Sequence, residues 1–121
     1  MRRGNTAYVI VGWMIVALGA FHTLRTPFAF AEFATPALWY ASGGGAFTMV
    51  GLINLVNAQR SDELPALGKL ALGVNLATIG FQLMVLVAEP SAIGVIVGVL
   101  VATAATFFSA TGLRHEVRAT A

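Results

Sequence analysis

The chain contains no cysteine. Disulfides, iron–sulfur clusters, thiolate metal sites and cysteine nucleophiles are excluded together. Charge is almost as scarce. Asp, Glu, Lys and Arg make up 10% of the 121 residues, where a soluble domain carries roughly 25%, so no water-facing shell can be assembled. The seven basic residues are spread thinly and form no patch, which excludes nucleic acid as a partner. What fills the chain is apolar: 58% of the residues are hydrophobic and the mean hydropathy is +0.83. Soluble, disordered and fibrous classes fall away, and a single-domain membrane protein remains.

Four apolar runs stand at about 7–24, 37–58, 66–88 and 91–113. The first ends at Arg25-Thr26-Pro27 and the second at Gln59-Arg60-Ser61-Asp62-Glu63. The third ends at Glu89-Pro90 and the fourth at Arg114-His115-Glu116. A helix needs roughly 20 residues to cross hydrocarbon, and it pairs its own backbone groups there. Barrel strands would be shorter and alternating. The expected fold class is all-α: an integral membrane four-helix bundle, up-down-up-down, forming one domain over residues 1–121.

The charges orient it. Arg2, Arg3, Arg60, Lys69, Arg114 and Arg118 fall on one side of such a bundle, and Arg25 lies opposite with Glu32 and Glu89. Cytoplasmic segments carry the basic excess. Both termini are therefore expected in the cytoplasm, with the protein in the cell membrane, a bacterial inner membrane. Arg2-Arg3, the first apolar run and Ala17-Leu18-Gly19-Ala20 also fit a cleaved leader, whose loss would leave the other spans with the same sidedness. Residues 25–36 read as an interfacial loop. Phe28, Phe30 and Phe33 are too apolar for a free connection, and Trp39 and Tyr40 extend the belt that aromatic rings favour at a membrane boundary.

Lipid is as apolar as leucine, so close backbone approach and buried hydrogen bonds must hold the helices together. Gly94, Gly98, Ala102, Thr106 and Ala110 recur every four residues in the fourth run, a small-xxx-small seam. In the third, Gly68, Ala71, Asn75, Thr78 and Gln82 share one face, which is expected to point inward. The first run aligns Tyr8, Gly12, Ile15, Gly19 and His22, and the second Tyr40, Gly44, Phe47, Gly51 and Asn54. Gly12 and Gly19 match the spacing of Gly73 and Gly80, with Phe21-His22 and Phe81-Gln82 following, a faint likeness between the two halves.

The chemical inventory is poor. No Asp, Glu, Lys or Arg stands near the middle of a run, whereas intramembrane charges mark proton and ion pathways. The small multidrug exporters have this size and span number but carry a glutamate in the first helix, and this chain has none there. Ser and Thr lack a His–acid pair. Gly43-Gly44-Gly45 is followed by no Lys-Ser/Thr and is no phosphate loop. His22 shares no ligand spacing with Glu32 or Glu89. No enzyme activity, cofactor or metal is expected.

Two functions remain. The first is a non-enzymatic accessory, assembly or self-associating subunit. Its partners are the lipid bilayer and a second copy or a larger membrane complex, and Gly94, Gly98, Ala102 and Thr106 are its packing residues. The alternative is a bundle that binds or transports a small, largely apolar molecule. Its pocket would lie near the outer leaflet, lined by His22, Trp39, Tyr40, Asn75 and Gln82 beneath Phe28, Phe30 and Phe33. Asn54, Asn57, Asn75 and Gln82 otherwise serve as interhelical glue.

Overall fold

The computed structural model describes residues 3–60 and 64–120. Four α-helices account for nearly all of them: α1 (Arg3–Ala29), α2 (Thr35–Arg60), α3 (Pro65–Ala88) and α4 (Ile93–Thr120). No strand occurs among the described residues, so the expected all-α four-helix architecture is the observed one. α1, α3 and α4 contain segments long and apolar enough to cross a membrane, at Thr6–Ala29, Ala66–Ala88 and Ile93–Leu113. α2 is not among them. Its hydropathy is lowered largely by what it buries. Gly44, Gly51, Asn54 and Asn57 face inward, while Leu38, Trp39, Met49, Leu52 and Val56 are exposed.

Helix ends differ from expectation in ways local chemistry explains. α1 passes the Arg25-Thr26-Pro27 break and carries Pro27 in its last turn. Proline has no N–H to donate to the carbonyl of residue 23, but the turn still closes as Phe30 N–H donates to Thr26 O at 3.1 Å. The aromatic connection shrinks to residues 30–34. Between α3 and α4, Ser91 Oγ donates to Glu89 Oε1 at 2.7 Å and Ala92 N–H donates to Glu89 O at 3.2 Å, so α4 starts at Ile93. It runs beyond Leu113 to Thr120. Of the charge pattern, Arg2, Ser61, Asp62 and Glu63 lie outside the described residues, as do the side chains of Arg3, Arg114, His115, Glu116 and Arg118.

Successive helices run antiparallel and neighbour one another in a ring, with α1–α2 the most extensive contact. The two stripes of α1 and α2 meet face to face. Tyr8 bonds Asn54, Gly12 stands by Gly51, Gly19 by Gly44, and His22 stacks on Tyr40. A Cβ built on Gly44 would stand 2.6 Å from Gly19 O, and one on Gly51 would stand 3.0 Å from Gly12 O. Backbone lies on backbone here, a contact that any side chain would hold apart.

Tyr8, Ile15, Ala58, Val101 and Ala105 form the apolar core, flanked by Leu18, Phe47, Val50 and Phe108. α3 enters the interior through Gly68, Ala71 and Asn75, all in its first half. Farther along the same face Thr78, Ile79, Gln82 and Leu86 are part-exposed. The bundle is closed at the end carrying Arg60 and looser at the end carrying Glu89.

Candidate functional site

Within the closed end, all four helices contribute to one hydrogen-bonded cluster. Tyr8 Oη donates to Asn54 Oδ1 at 2.7 Å and accepts from Asn57 Nδ2 at 3.0 Å. Asn54 and Asn75 pair reciprocally, Nδ2 to Oδ1 in each direction, at 2.7 and 2.8 Å. Asn75 Nδ2 also donates to Ser109 Oγ at 3.1 Å, and Ser109 Oγ donates to Ala105 O at 2.6 Å. Asn54 Nδ2 reaches Val50 O at 2.8 Å. Asn54 and Asn75 are both 0% exposed.

A buried amide costs free energy unless its donors and acceptors are matched. Here the central pair is matched in full, and the cluster ends on Asn57 Oδ1, which has no partner among the described residues. That oxygen lies 3.7 Å from where a Cβ on Gly68 would stand, so Gly68 gives it room at the start of α3. The amides are readable in the sequence as glue. Tyr8 and Ser109 are not singled out there as hydrogen-bonding partners, although Tyr8 shares the Gly12–Gly19 face.

The far end of the α1–α2 hairpin is aromatic. His22 and Tyr40 stack at 3.7 Å between ring centroids, with planes 22° apart, and Phe30 meets Tyr40 edge-on at 5.3 Å. Thr23 Oγ1 donates to Ala41 O at 3.0 Å just below. Phe28 and Phe33 turn outward, as does Trp39, which is 75% exposed.

The five residues read as one pocket thus fall in separate places. His22 and Tyr40 touch, and Trp39 points away from them. Asn75 belongs to the amide cluster. Gln82 lies over α4, its Nε2 2.8 Å from where a Cβ on Gly98 would stand. Depth separates them further. His22 is fourteen residues beyond Tyr8 on α1, about 21 Å of helix rise, and Gln82 is seven beyond Asn75 on α3, about 10 Å. Gln82 therefore sits in the half of α3 toward Ala88, roughly 10 Å below the His22–Tyr40 stack.

The α4 stripe is buried only in its middle. Gly98 and Ala102 are buried, Thr106 is half-buried with its hydroxyl on Ala102 O at 2.8 Å, and Gly94 faces open space. A spacing of four residues advances about 40° beyond a full turn at each step, so the stripe leaves the interface at both ends. Ala105 and Ser109 carry the buried face onward instead. Gly94→Leu is expected to leave stability within about 0.5 kcal/mol. Gly98→Leu displaces Gln82 and is expected to cost about 1–3 kcal/mol, both read from detergent unfolding titrations.

Comparison with protein-family models, with curated proteins and with solved structures gives no match.

Proposed function

We propose that this chain is a multi-pass membrane protein of the cell membrane, non-enzymatic, working as an accessory, assembly or self-associating subunit. The observation that supports the membrane placement is reversed polarity. Asn54, Asn75 and Ser109 are enclosed at the centre and bonded to one another, while Trp13, Phe21, Met49, Leu76, Phe81 and Leu100 stand exposed around the outside. Water would drive those groups the other way. Hydrocarbon favours this arrangement, because each polar group must find its partner within the protein.

α2 is the fourth span in this reading, since its exposed side is apolar and its polar residues are turned inward. α1 packs into the bundle through Tyr8, Gly12 and Gly19. Both termini and the α2–α3 connection lie in the cytoplasm on the basic-residue asymmetry. An associating helix has the outward face of α3 open to it, where Gly73 and Gly80 have nothing within 4 Å of a built Cβ.

The absence of native cysteine makes the topology test clean. A cysteine replacing Asp62 is expected to resist an impermeant thiol reagent in intact cells and to react after lysis, whereas one replacing Glu32 reacts in both. Labelling of position 62 from outside overturns the orientation. Association is read from the mass of the protein in mild detergent. More than one chain per particle, reduced to one by Gly73→Leu with Gly80→Leu, is the expected result. A single chain with no co-purifying protein removes the subunit reading.

A further inference from the structure

Lipid solvates an apolar face about as well as another helix does. In a bilayer, close backbone contact and hydrogen bonds are therefore what resist the parting of two helices. Where those ties lie decides which parts of a bundle can move. Within the α1–α2 hairpin they run the whole length. Tyr8 bonds Asn54 toward one end, Gly12 and Gly19 lie by Gly51 and Gly44, and Thr23 bonds Ala41 O toward the other. α3 and α4 are likewise held at two levels, by Leu113 against Gly68 and by Gln82 over Gly98.

Between the hairpins the ties are confined to one end. Asn54 and Asn75 join α2 to α3. Tyr8 stacks on Phe108 across α1 and α4, with 5.5 Å between ring centroids and 21° between planes. Ile15, midway along α1, continues the shared core with Val101 and Ala105. Beyond these toward Glu89, no hydrogen bond or ring contact joins one hairpin to the other among the described residues. Burial stops at the same level. No residue from Leu76 to Val97 is buried, a stretch that takes in the end of α3, the turn at Glu89 and the start of α4. The matching part of the other hairpin, Gly19 to Gly44, buries Thr26 and Ala37 as well as both glycines.

We propose that the bundle is a hinge: the α3–α4 hairpin swings as a unit against the α1–α2 hairpin about the Asn54–Asn75 and Tyr8–Phe108 contacts, parting α2 from α3 at the end carrying Glu89. The swing uncovers Phe47, Thr78 and Gln82, which are half-buried, and leaves the amide cluster enclosed. Leu83 is eight residues beyond Asn75. That is about 12 Å of helix rise, so a swing of about 10° carries it about 2 Å. The proposal rests on the bilayer placement of the helices given above and is independent of self-association.

The test is pulsed electron–electron distance measurement on spin-labelled cysteine pairs, in the full chain in vesicles, where the cysteine-free sequence is a clean background. Every labelled position is exposed. Ala46 with Leu83 spans the hairpins on the Glu89 side, each residue eight from its member of the Asn54–Asn75 pair. Gln59 with Leu70 spans them on the Arg60 side, and Leu24 with Leu38 lies within one hairpin near the His22–Tyr40 stack. The Ala46–Leu83 distances are expected to spread about 4 Å more widely than those of either other pair, a swing of about 10° each way. Ser42 with Val87, one turn farther from the pivot, takes its place if that pair lowers the melting temperature. A spread no wider than that of Gln59–Leu70 overturns the hinge. So does equal widening at all three pairs, which is loose packing without a pivot. A label at position 83 should collide with dissolved oxygen more than with a water-soluble nickel complex. The reverse order overturns the bilayer placement and the hinge with it, whereas narrow distances with oxygen in excess overturn the hinge alone.

Discussion

Gly44→Ala is expected to lower stability by about 3 kcal/mol, toward the upper end of the cost of overpacking a close contact. The added carbon would stand 2.6 Å from both Gly19 O and Thr23 N. Both neighbours are backbone atoms of α1, so no rotamer change relieves the clash and the helices must separate. Separation stretches the Thr23–Ala41 hydrogen bond and the His22–Tyr40 stack on one side and the Tyr8–Asn54 bond on the other. The neighbouring positions provide the control. Gly43 and Gly45 have nothing within 4 Å of a built Cβ. Alanine at either is expected to stabilise by up to about 1 kcal/mol through helix propensity alone. Three adjacent glycines should therefore divide by sign in a detergent unfolding titration. If Gly44→Ala is as stable as its two neighbours, the close packing of α1 on α2 is wrong.

The Asn54–Asn75 pair carries the second large effect. Asn75→Leu removes the reciprocal partner of Asn54 and the donor to Ser109. Asn54 keeps its bond to Val50 O and its acceptance from Tyr8. One donor and one acceptor site lose their matched partner in an enclosed space, expected to cost about 1–3 kcal/mol. Asn54→Leu is expected to cost as much or more, since Tyr8 loses its acceptor too. The double variant should recover part of the loss, because replacing both members of a pair with apolar groups leaves fewer orphans than replacing one. The measurement is a double-mutant cycle, and the expected signature is strong non-additivity. Additive losses would show that the two amides do not answer each other.

These two contacts divide the work of assembly. The glycine faces bring α1 and α2 into contact within a hairpin, and the amide pair joins α2 to α3 across hairpins. Neither supplies a broad apolar interface. The apolar core is small and drawn from Tyr8, Ile15, Ala58, Val101 and Ala105. Most of the large hydrophobic side chains are on the outside. A bundle of this kind depends on a few exact contacts, which is why single substitutions at Gly44 or Asn75 are expected to matter more than truncation of an outward leucine.

Composition and run length by themselves determined the fold class and the four helices. Those properties depend on chain-local quantities: the scarcity of charge, the length of apolar stretches, and prolines and charges at the breaks. The inward faces of α1, α2 and α3 were also legible, because glycine and amide residues at helical spacing mark a side whatever it packs against. Partnership was not. Tyr8 meets Asn54 across 46 positions of chain, and Asn75 meets Ser109 across 34. Periodicity within one helix says which residues share a side and nothing about the register or depth at which another helix answers.

Depth is what dispersed the five residues read as one pocket, setting Gln82 about 10 Å below His22 and Tyr40. Register is what turned Gln82 onto Gly98 and left its amide without a partner among the described residues. The α4 stripe is buried at Gly98 and Ala102 but not at Gly94 for a related reason: an exact four-residue repeat drifts round a helix of 3.6 residues per turn, so only a docked neighbour decides which of its members are buried. The side chains available were fixed by the chain, and which of them touch was decided by the angles and offsets at which four helices pack.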